Sequence, residues 1–239
     1  MLRVHSIETL GTLDGPGIRT VVFLQGCPLR CGYCHNPDTW SLTGGKMMCA
    51  DELYQKIMRM KPYFKNGGGV TFSGGDPLMQ AAALRPLVRR LKEAHVHIAL
   101  DTSGAYWSEE VGLLLDDIDL VLLDIKHTEH ETFEVLTHGN LDRTLTFLEE
   151  LKSRGVHYWA RQVIVPSFND DIAQVKKFKQ MASSTLCDKI ELLPFHKMGM
   201  HKWDALGLVS PFAKTPEMKE SDIEGLYKAI AYPVPNLEN

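Results

Sequence analysis

Along the chain, short apolar runs alternate with longer stretches in which apolar residues recur every three or four positions. The runs are Thr20–Leu24, Val70–Phe72, Ile98–Leu100, Leu120–Ile125, Trp159–Val165 and Ile190–Leu193, often rich in Val and Ile. Such runs read as strands buried on both faces, the habit of parallel sheets. The helical period predicts helices over about 50–60, ending near Pro62; about 77–94; about 108–116, with Ser108 as N-cap; about 141–154, ended by Gly155; about 170–182; and about 216–230. Pro86 falls inside the second of these, so that helix either kinks or starts later than the period suggests. Each strand but the last is followed by a helix, the order of βα units with right-handed crossovers. Six such units either lie open as a doubly wound sheet or close partly as a barrel, and the pattern alone does not separate the two. In both, functional groups gather at the carboxyl ends of the strands.

The chemically distinctive residues fall where that rule puts them. Cys27, Cys31 and Cys34 follow the first predicted strand, Gly74-Gly75-Asp76 the second and Asp101-Thr102 the third; Asp124 and Lys126 stand at the fourth, Arg161 lies within the fifth and His196 follows the sixth. With 239 residues, 44% of them apolar, the chain can bury a core without disulfide staples. No repeat or long polar linker divides it, so a single domain spanning 1–239 is expected. Its 26 basic and 30 acidic side chains give a net charge of −4, which supplies no electrostatic reason for nucleic-acid or membrane-surface binding. Met1 to Gly17 lacks the apolar core of a signal peptide, and no segment approaches the ~20 apolar residues of a spanning helix. The expected location is therefore the cytoplasm, where five cysteines do not make a disulfide framework.

Three of those cysteines sit in Gly26-Cys27-Pro28-Leu29-Arg30-Cys31-Gly32-Tyr33-Cys34-His35-Asn36, a loop tight enough to wrap one small inorganic centre. A closed zinc site needs four protein ligands and commonly draws cysteines in pairs. Here there is no second pair, and only Cys49, Cys187 or His35 remains to complete the set. Three thiolates on a four-iron cluster instead leave one iron free for an exogenous chelating molecule. Three buried structural cysteines fit poorly beside Pro28, Arg30 and Gly32.

Cys-x3-Cys-x2-Cys with an aromatic residue before its last cysteine resembles the cluster loop of the radical S-adenosylmethionine (SAM) enzymes. The neighbouring His5-Ser6-Ile7-Glu8, Gly11-Thr12-Leu13-Asp14-Gly15-Pro16-Gly17-Ile18-Arg19, Tyr33-Cys34-His35-Asn36-Pro37 and Leu192-Leu193-Pro194-Phe195-His196 resemble the glycyl-radical-enzyme activating family, over about residues 3 to 230. Many members carry an inserted ferredoxin-like domain with further cysteines; here Asn36 to Pro62 holds only Cys49.

The resemblance implies a partial (β/α)6 TIM-like barrel with one [4Fe-4S] cluster on Cys27, Cys31 and Cys34. It implies reductive cleavage of SAM to methionine and a 5′-deoxyadenosyl radical, which takes a hydrogen atom from a glycine Cα of a partner protein. The missing insertion points to pyruvate formate-lyase (formate acetyltransferase) as that partner, with flavodoxin or ferredoxin as electron donor. SAM contacts are implied for Tyr33, Cys34, His35, Gly74, Gly75, Asp76, Asp124, Ile125, Lys126, Arg161 and His196. Gly74-Gly75-Asp76 resembles the family's Gly-Gly-Glu motif, with Asp76 a shorter carboxylate, and glycine there allows close backbone approach. Asp101, Thr102, Asp124 and the Leu122 carbonyl resemble a monovalent-cation site for Na or K, although the two carboxylates would equally pair with Lys126 or Arg161. The glycine-rich loop around Asp14 is expected near the open side of the barrel, meeting the partner protein rather than SAM. The rival readings are an activator of another glycyl radical enzyme and a zinc-binding interaction module.

Overall fold

The computed structural model describes residues 1–233. Six parallel strands run in chain order: β2 (Arg19–Leu24), β4 (Gly69–Gly74), β5 (His97–Thr102), β6 (Leu120–Asp124), β7 (Tyr158–Ile164) and β8 (Cys187–Pro194). These are the six apolar runs of the sequence. Two further strands, β1 (Leu2–Gly11) and β3 (Lys46–Met48), add antiparallel at the β2 side, and the eight-stranded sheet does not close. The apolar pattern misses both. In β1 only Leu2, Val4 and Gly11 are buried, and β3 is three residues long.

The helices are α1 (Ala50–Met60), α2 (Ala81–Glu93), α3 (Glu109–Leu115), α4 (His130–Thr137), α5 (Leu141–Arg154), α6 (Ile172–Ala182), α7 (Met200–Ala205) and α8 (Glu220–Ala229). Ser108 caps α3 and Gly155 ends α5 in the left-handed conformation, as the sequence predicts. The second predicted helix starts later: Asp76 caps a 3-10 turn over Pro77–Gln80, and α2 follows from Ala81 unbroken through Pro86. Two helices were not expected, α4 and α7, both short. The last helix starts at Glu220 rather than near 216, because Met218 is still tied to Phe195, its amide donating to the Phe195 carbonyl at 2.9 Å.

Side-chain alternation along the parallel strands explains both faces. Val22, Leu24, Val70, Phe72, Ile98, Leu100, Val121, Leu123, Ile190 and Leu192 pack outward with the helices into the main core. The intervening positions point inward, where Ala99, Leu120 and Leu122, packed against Trp159, form a floor. Above that floor the inward positions turn polar: Ser73, Asp101, Asp124, Arg161 and Glu191. The exposed edge of β8 is blunted by two tyrosines, whose hydroxyls accept from the amides of Leu192 (Tyr227, 2.6 Å) and Ile190 (Tyr232, 2.8 Å). Among the described residues no helix is long and apolar enough to cross a membrane.

Candidate active site

The cysteine loop leaves the carboxyl end of β2 and is held from three sides. Its Gly26 amide donates to Thr39 O at 2.7 Å, Arg30 N to Thr137 O at 2.8 Å and Gly32 N to Leu136 O at 2.9 Å. From the chain after β8, Trp203 Nε1 donates to Cys34 O at 2.8 Å and Ser210 Oγ to Gly32 O at 2.6 Å. Gly32 lies so close to Pro211 and Phe212 that a Cβ there would come within 2.7 Å of either. No periodic pattern announces this strap in the sequence.

Cys31 is buried, and Cys27 and Cys34 are half-buried against Leu29 and Ala105. Burial pushes all three thiols up, Cys31 to about 12, so each keeps its proton until a cation displaces it. Cys34 Sγ accepts from the Asn36 amide at 3.3 Å, a contact that favours thiolate. Among the described residues no three His, Cys, Asp or Glu side chains converge tightly enough to hold a single ion. Thiolates on a four-iron cluster each bind a different iron, so three sulfurs spread along one tight loop fit that centre better than a tetrahedral zinc site.

Facing the loop is a row of charges set by strand register: Asp124 pairs with Arg161, and Arg161 with Glu191. Arg161 lies 3.5 Å from Asp101, 3.5 Å from Glu191 and 3.9 Å from Asp124. Burial would lower its pKa, but Asp101, Asp124, Glu191 and Asp14 more than offset this and hold it above the ordinary arginine value. Lys126 Nζ donates to Asp124 Oδ2 at 2.9 Å. Burial pushes this ammonium down, yet Asp124, with Tyr33 and Cys31 beside it, holds it well above the usual lysine range. Burial likewise pushes Asp124 up, and Lys126 and Arg161 bring it below the usual carboxylate value. Asp101 is raised to about 6, by burial first, with Arg161 pulling against it and Asp124 and Asp14 adding to it.

Several buried polar atoms in this region have no hydrogen-bond partner: Tyr33 Oη, Asp124 Oδ1, Arg161 Nε and Nη1, and His196 Nδ1. Arg161 Nε and Nη1 and Asp124 Oδ1 still face opposite charges at 3.5–3.9 Å, whereas Tyr33 Oη and His196 Nδ1 have no such partner; a buried polar atom left unpaired costs about 1–3 kcal/mol, so the site suits a polar ligand. SAM, with an ammonium, a carboxylate, a ribose and a sulfonium, matches this donor and acceptor set. The His196 ring stacks on His35 with centroids 4.1 Å apart, and His35 Nε2 lies 3.0 Å from His196 O, so the two histidines hold each other in place. Burial pushes the His35 imidazole below its usual value.

Several of the sequence-predicted contact residues also carry structural duties of their own. Ile125 turns its side chain into the helix-facing core, its amide donates to Arg161 O at 2.9 Å and its carbonyl accepts from Gln162 at 3.1 Å. Gly75 is needed for a reason other than a ligand: a Cβ there would sit 2.3 Å from Gly26 O, and at Gly74 (φ +109°) one would sit 2.4 Å from Leu24. The glycines let β4 weld onto the cysteine loop, with Gly75 N donating to Leu24 O and Asp76 N to Gly26 O, both at 2.8 Å. Asp76 is equally committed. Its buried carboxylate accepts from Leu78 N (3.1 Å), Thr102 Oγ1 (2.8 Å), Ser103 N (3.2 Å) and Ser103 Oγ (2.7 Å), tying the end of β4 to the end of β5. Truncating Asp76 to Ala strands these four donors at a cost on the order of 3 kcal/mol, or about 6–12 °C in Tm for a chain of this size, measurable by thermal unfolding of the cluster-free protein.

Of the predicted monovalent-cation ligands, Thr102 spends its hydroxyl on Asp76, Asp101 Oδ2 accepts from Ser73 at 2.7 Å, and Asp124 pairs with Lys126. Leu122 is in register with Asp101, its side chain in the barrel floor. The alternative pairing of the two carboxylates with Arg161 and Lys126 is the one the side chains adopt. Asp14 reaches further in than its place before β2 suggests. Its carbonyl accepts from Thr71 Oγ1 at 2.6 Å, and its carboxyl, pushed up by burial and pulled down chiefly by Arg161, faces the same interior as the SAM candidates. What fixes it there is Arg19, fully buried, with Nε donating to Thr71 Oγ1 (2.6 Å), Nη1 to Pro16 O (2.8 Å) and Nη2 to Val70 O (2.7 Å). Burial brings Arg19 down to about 10. The sequence singled out neither Glu191 nor Arg19 as a working residue. Glu191 had a readable signal, a lone acid in the apolar run Ile190–Leu193.

A family model described as "4Fe-4S single cluster domain" matches residues 13–141. Pyruvate formate-lyase-activating enzyme of Clostridium pasteurianum is 44% identical over 230 residues, 95% of this chain and 93% of that one. A radical SAM methyltransferase from Sphaerobacter thermophilus shares the fold (TM-score 0.62, 14% identity, 97% of this chain and 75% of that one). So does Streptococcus suis SuiB bound to S-adenosylmethionine (TM-score 0.65, 14% identity, 86% of this chain and 44% of that one). The fold is thus the partial barrel of the radical SAM proteins, and the chain belongs to the pyruvate formate-lyase-activating enzyme family.

Proposed function

We propose that the chain, read as one radical SAM domain, activates pyruvate formate-lyase by removing a hydrogen atom from a glycine Cα of that protein. The observation that carries this reading is the three-cysteine loop at the carboxyl end of β2, whose own Tyr33 Oη, with His196 Nδ1 stacked on the loop's His35, is buried without a hydrogen-bond partner. Cys27, Cys31 and Cys34 would hold the [4Fe-4S] cluster. When bound, the cluster and SAM together supply one reducing electron and a carbon-centred radical strong enough to take that hydrogen atom.

The rest is the work of this chain's own residues. Lys126, already charged and held by Asp124, neutralises the SAM carboxylate; Asp124 Oδ1 accepts from its ammonium; His196 Nδ1 and Tyr33 Oη meet ribose or carboxylate oxygens. Arg161 keeps Asp101, Asp124 and Glu191 in place around the reacting region, and the apolar floor of Ala99, Leu120, Leu122 and Trp159 keeps water out from below. The electron comes from flavodoxin or ferredoxin, and the setting is an anaerobic cytoplasm.

The test is anaerobic incubation of the reconstituted chain with SAM, reductant and pyruvate formate-lyase, with the glycyl radical read by electron paramagnetic resonance. Absence of the radical, with SAM bound and cluster intact, overturns the reading. Lys126→Ala and His196→Ala are each expected to lose about 1–3 kcal/mol of SAM affinity, five- to more than a hundredfold in Kd, because each leaves a buried ligand group unpaired. Equilibrium titration of SAM checks this, and unchanged affinity in both variants moves the pocket elsewhere.

A further inference from the structure

The three carboxylates around Arg161 share one arrangement: each spends one oxygen on a fixed donor of its own and turns the other to the guanidinium. Asp101 Oδ2 accepts from Ser73 Oγ at 2.7 Å and leaves Oδ1 3.5 Å from Arg161 Nη1. Asp124 Oδ2 accepts from Lys126 Nζ at 2.9 Å and leaves Oδ1 3.9 Å from Arg161 Nε. Glu191 Oε1 pairs with Lys189 Nζ at 2.6 Å and leaves Oε2 3.5 Å from the same Nε. Glu191 and Lys189 stand two residues apart on β8, the last strand of the sheet, and Lys189 Nζ lies 4.4 Å from the ring centroid of Trp159 in the barrel floor. Neither is among the residues that the family resemblance implies for SAM.

Arg161 is thus suspended among carboxylates, with no hydrogen-bond partner for Nε or Nη1 and none for Asp124 Oδ1. A buried guanidinium N–H and a buried carboxylate oxygen this near would ordinarily close into a charge-assisted pair at about 2.8 Å. What prevents it is that the Nε–H is contested. Strand β7 lies between β6 and β8, so Asp124 draws Arg161 from one side and Glu191 from the other, at the shorter distance. Asp14, on the loop side, makes no ion pair with Arg161 within 4.0 Å among the described residues, so it is no counterweight to Asp124. Resting on the proposed function, in which Asp124 Oδ1 accepts from the SAM ammonium, we propose that Glu191 is a positioning residue that holds Arg161 off Asp124 and so keeps that oxygen free for the ligand. Lys189 occupies the other Glu191 oxygen and limits how far Glu191 itself closes on Arg161.

The variants are Glu191→Gln, Lys189→Met and the two together. Gln keeps the shape of Glu and still meets Lys189, and a Met stem covers Trp159 as the lysine stem does, so all three should fold. Thermal unfolding of the cluster-free proteins checks this. SAM affinity is read by equilibrium titration of the reconstituted protein, and SAM cleavage at saturating SAM, with dithionite as reductant, is read beside it. For Glu191→Gln the expected result is about tenfold weaker SAM binding, cleavage at saturating SAM within about threefold of wild type, and a crystal structure in which Arg161 Nε has closed to about 2.9 Å from Asp124 Oδ1. Lys189→Met should bind SAM within about threefold of wild type, and the double variant as weakly as Glu191→Gln. Equal losses from the two single variants would reduce Glu191 and Lys189 to an ion pair bracing the edge of the sheet. Recovery in the double variant, whose net charge equals that of wild type, would make the loss an effect of overall field. Unchanged affinity in Glu191→Gln would leave Arg161 placed without it, and any of these three results overturns the proposal. A wild type that binds no SAM overturns the activase reading instead, and the distance from Arg161 to Asp124 in Glu191→Gln still decides the positioning.

Discussion

Replacing any one of Cys27, Cys31 or Cys34 by Ala is expected to give a folded, colourless protein in which SAM cleavage is lost to background, while Cys49→Ala and Cys187→Ala stay brown and active. The argument is positional. The three loop thiols share one tight turn at the carboxyl end of β2, and a four-iron centre with one open iron has no spare protein ligand to lose. Cys187 begins β8, which runs parallel to β2 across the sheet, so it sits at the opposite end of the barrel, its thiol donating to Lys189 O at 3.4 Å. Cys49 is exposed and caps α1, accepting from Glu52 N at 3.4 Å. The fold should tolerate the loop variants because the loop is held by backbone and by Trp203 and Ser210, not by its thiols. Iron and sulfide analysis with an assay for 5′-deoxyadenosine decides the matter. A Cys31→Ala protein that keeps both cluster and cleavage would sink the assignment, as would cluster loss in folded Cys187→Ala.

The parallel strands were legible because both their faces are buried, which writes them as unbroken apolar runs. Strand β1 was not, since polar residues fill half of its length and break its apolar run, leaving Leu2 and Val4 as the apolar side chains it buries. The cysteine loop stood out by its spacing, which left zinc and iron–sulfur centres both open, and Asp124, Lys126, Arg161 and His196 stood out at strand ends, their part in binding SAM coming from the family resemblance. What spacing does not reveal is where a polar side chain spends its hydrogen bonds. Asp76 sits in a ligand-like motif yet gives its carboxylate to Thr102, Ser103 and Leu78, and Gly75 is small because of Gly26 rather than a ligand. Ile125 stands between two site residues but, by the period of a strand leaving the sheet, faces the core. Those distinctions depend on contacts between residues far apart in the chain. So does the strap after β8, which braces the loop through Trp203 and Ser210 and has no local pattern to announce it.

Asp14→Ala is expected to leave SAM binding within about threefold of wild type and to cut the glycyl radical yield on the protein substrate by more than a hundredfold. Its carboxylate enters the interior on a loop with glycines at 11, 15 and 17, while its carbonyl is fixed by Thr71 and the loop by Arg19. The loop's position thus does not depend on the carboxylate, and the variant should keep its fold. The carboxylate faces Arg161 from the loop side, whereas Asp101, Asp124 and Glu191 already surround that guanidinium from the strands. Losing one of four acids therefore leaves Arg161 paired and the SAM groups in place. What is lost is an acceptor, at the side where an incoming backbone must pass, for the amides of the partner's glycine loop. Hydrogen abstraction needs near-contact between the radical carbon and the glycine Cα, and a loop held out of register by an ångström forfeits most of the rate. SAM affinity, 5′-deoxyadenosine formation without partner, and radical yield should be measured on one preparation. Retained cleavage with lost radical supports docking by Asp14. A proportional loss of all three assigns Asp14 to the SAM pocket through Arg161, and no loss reduces the loop to a turn leading into β2.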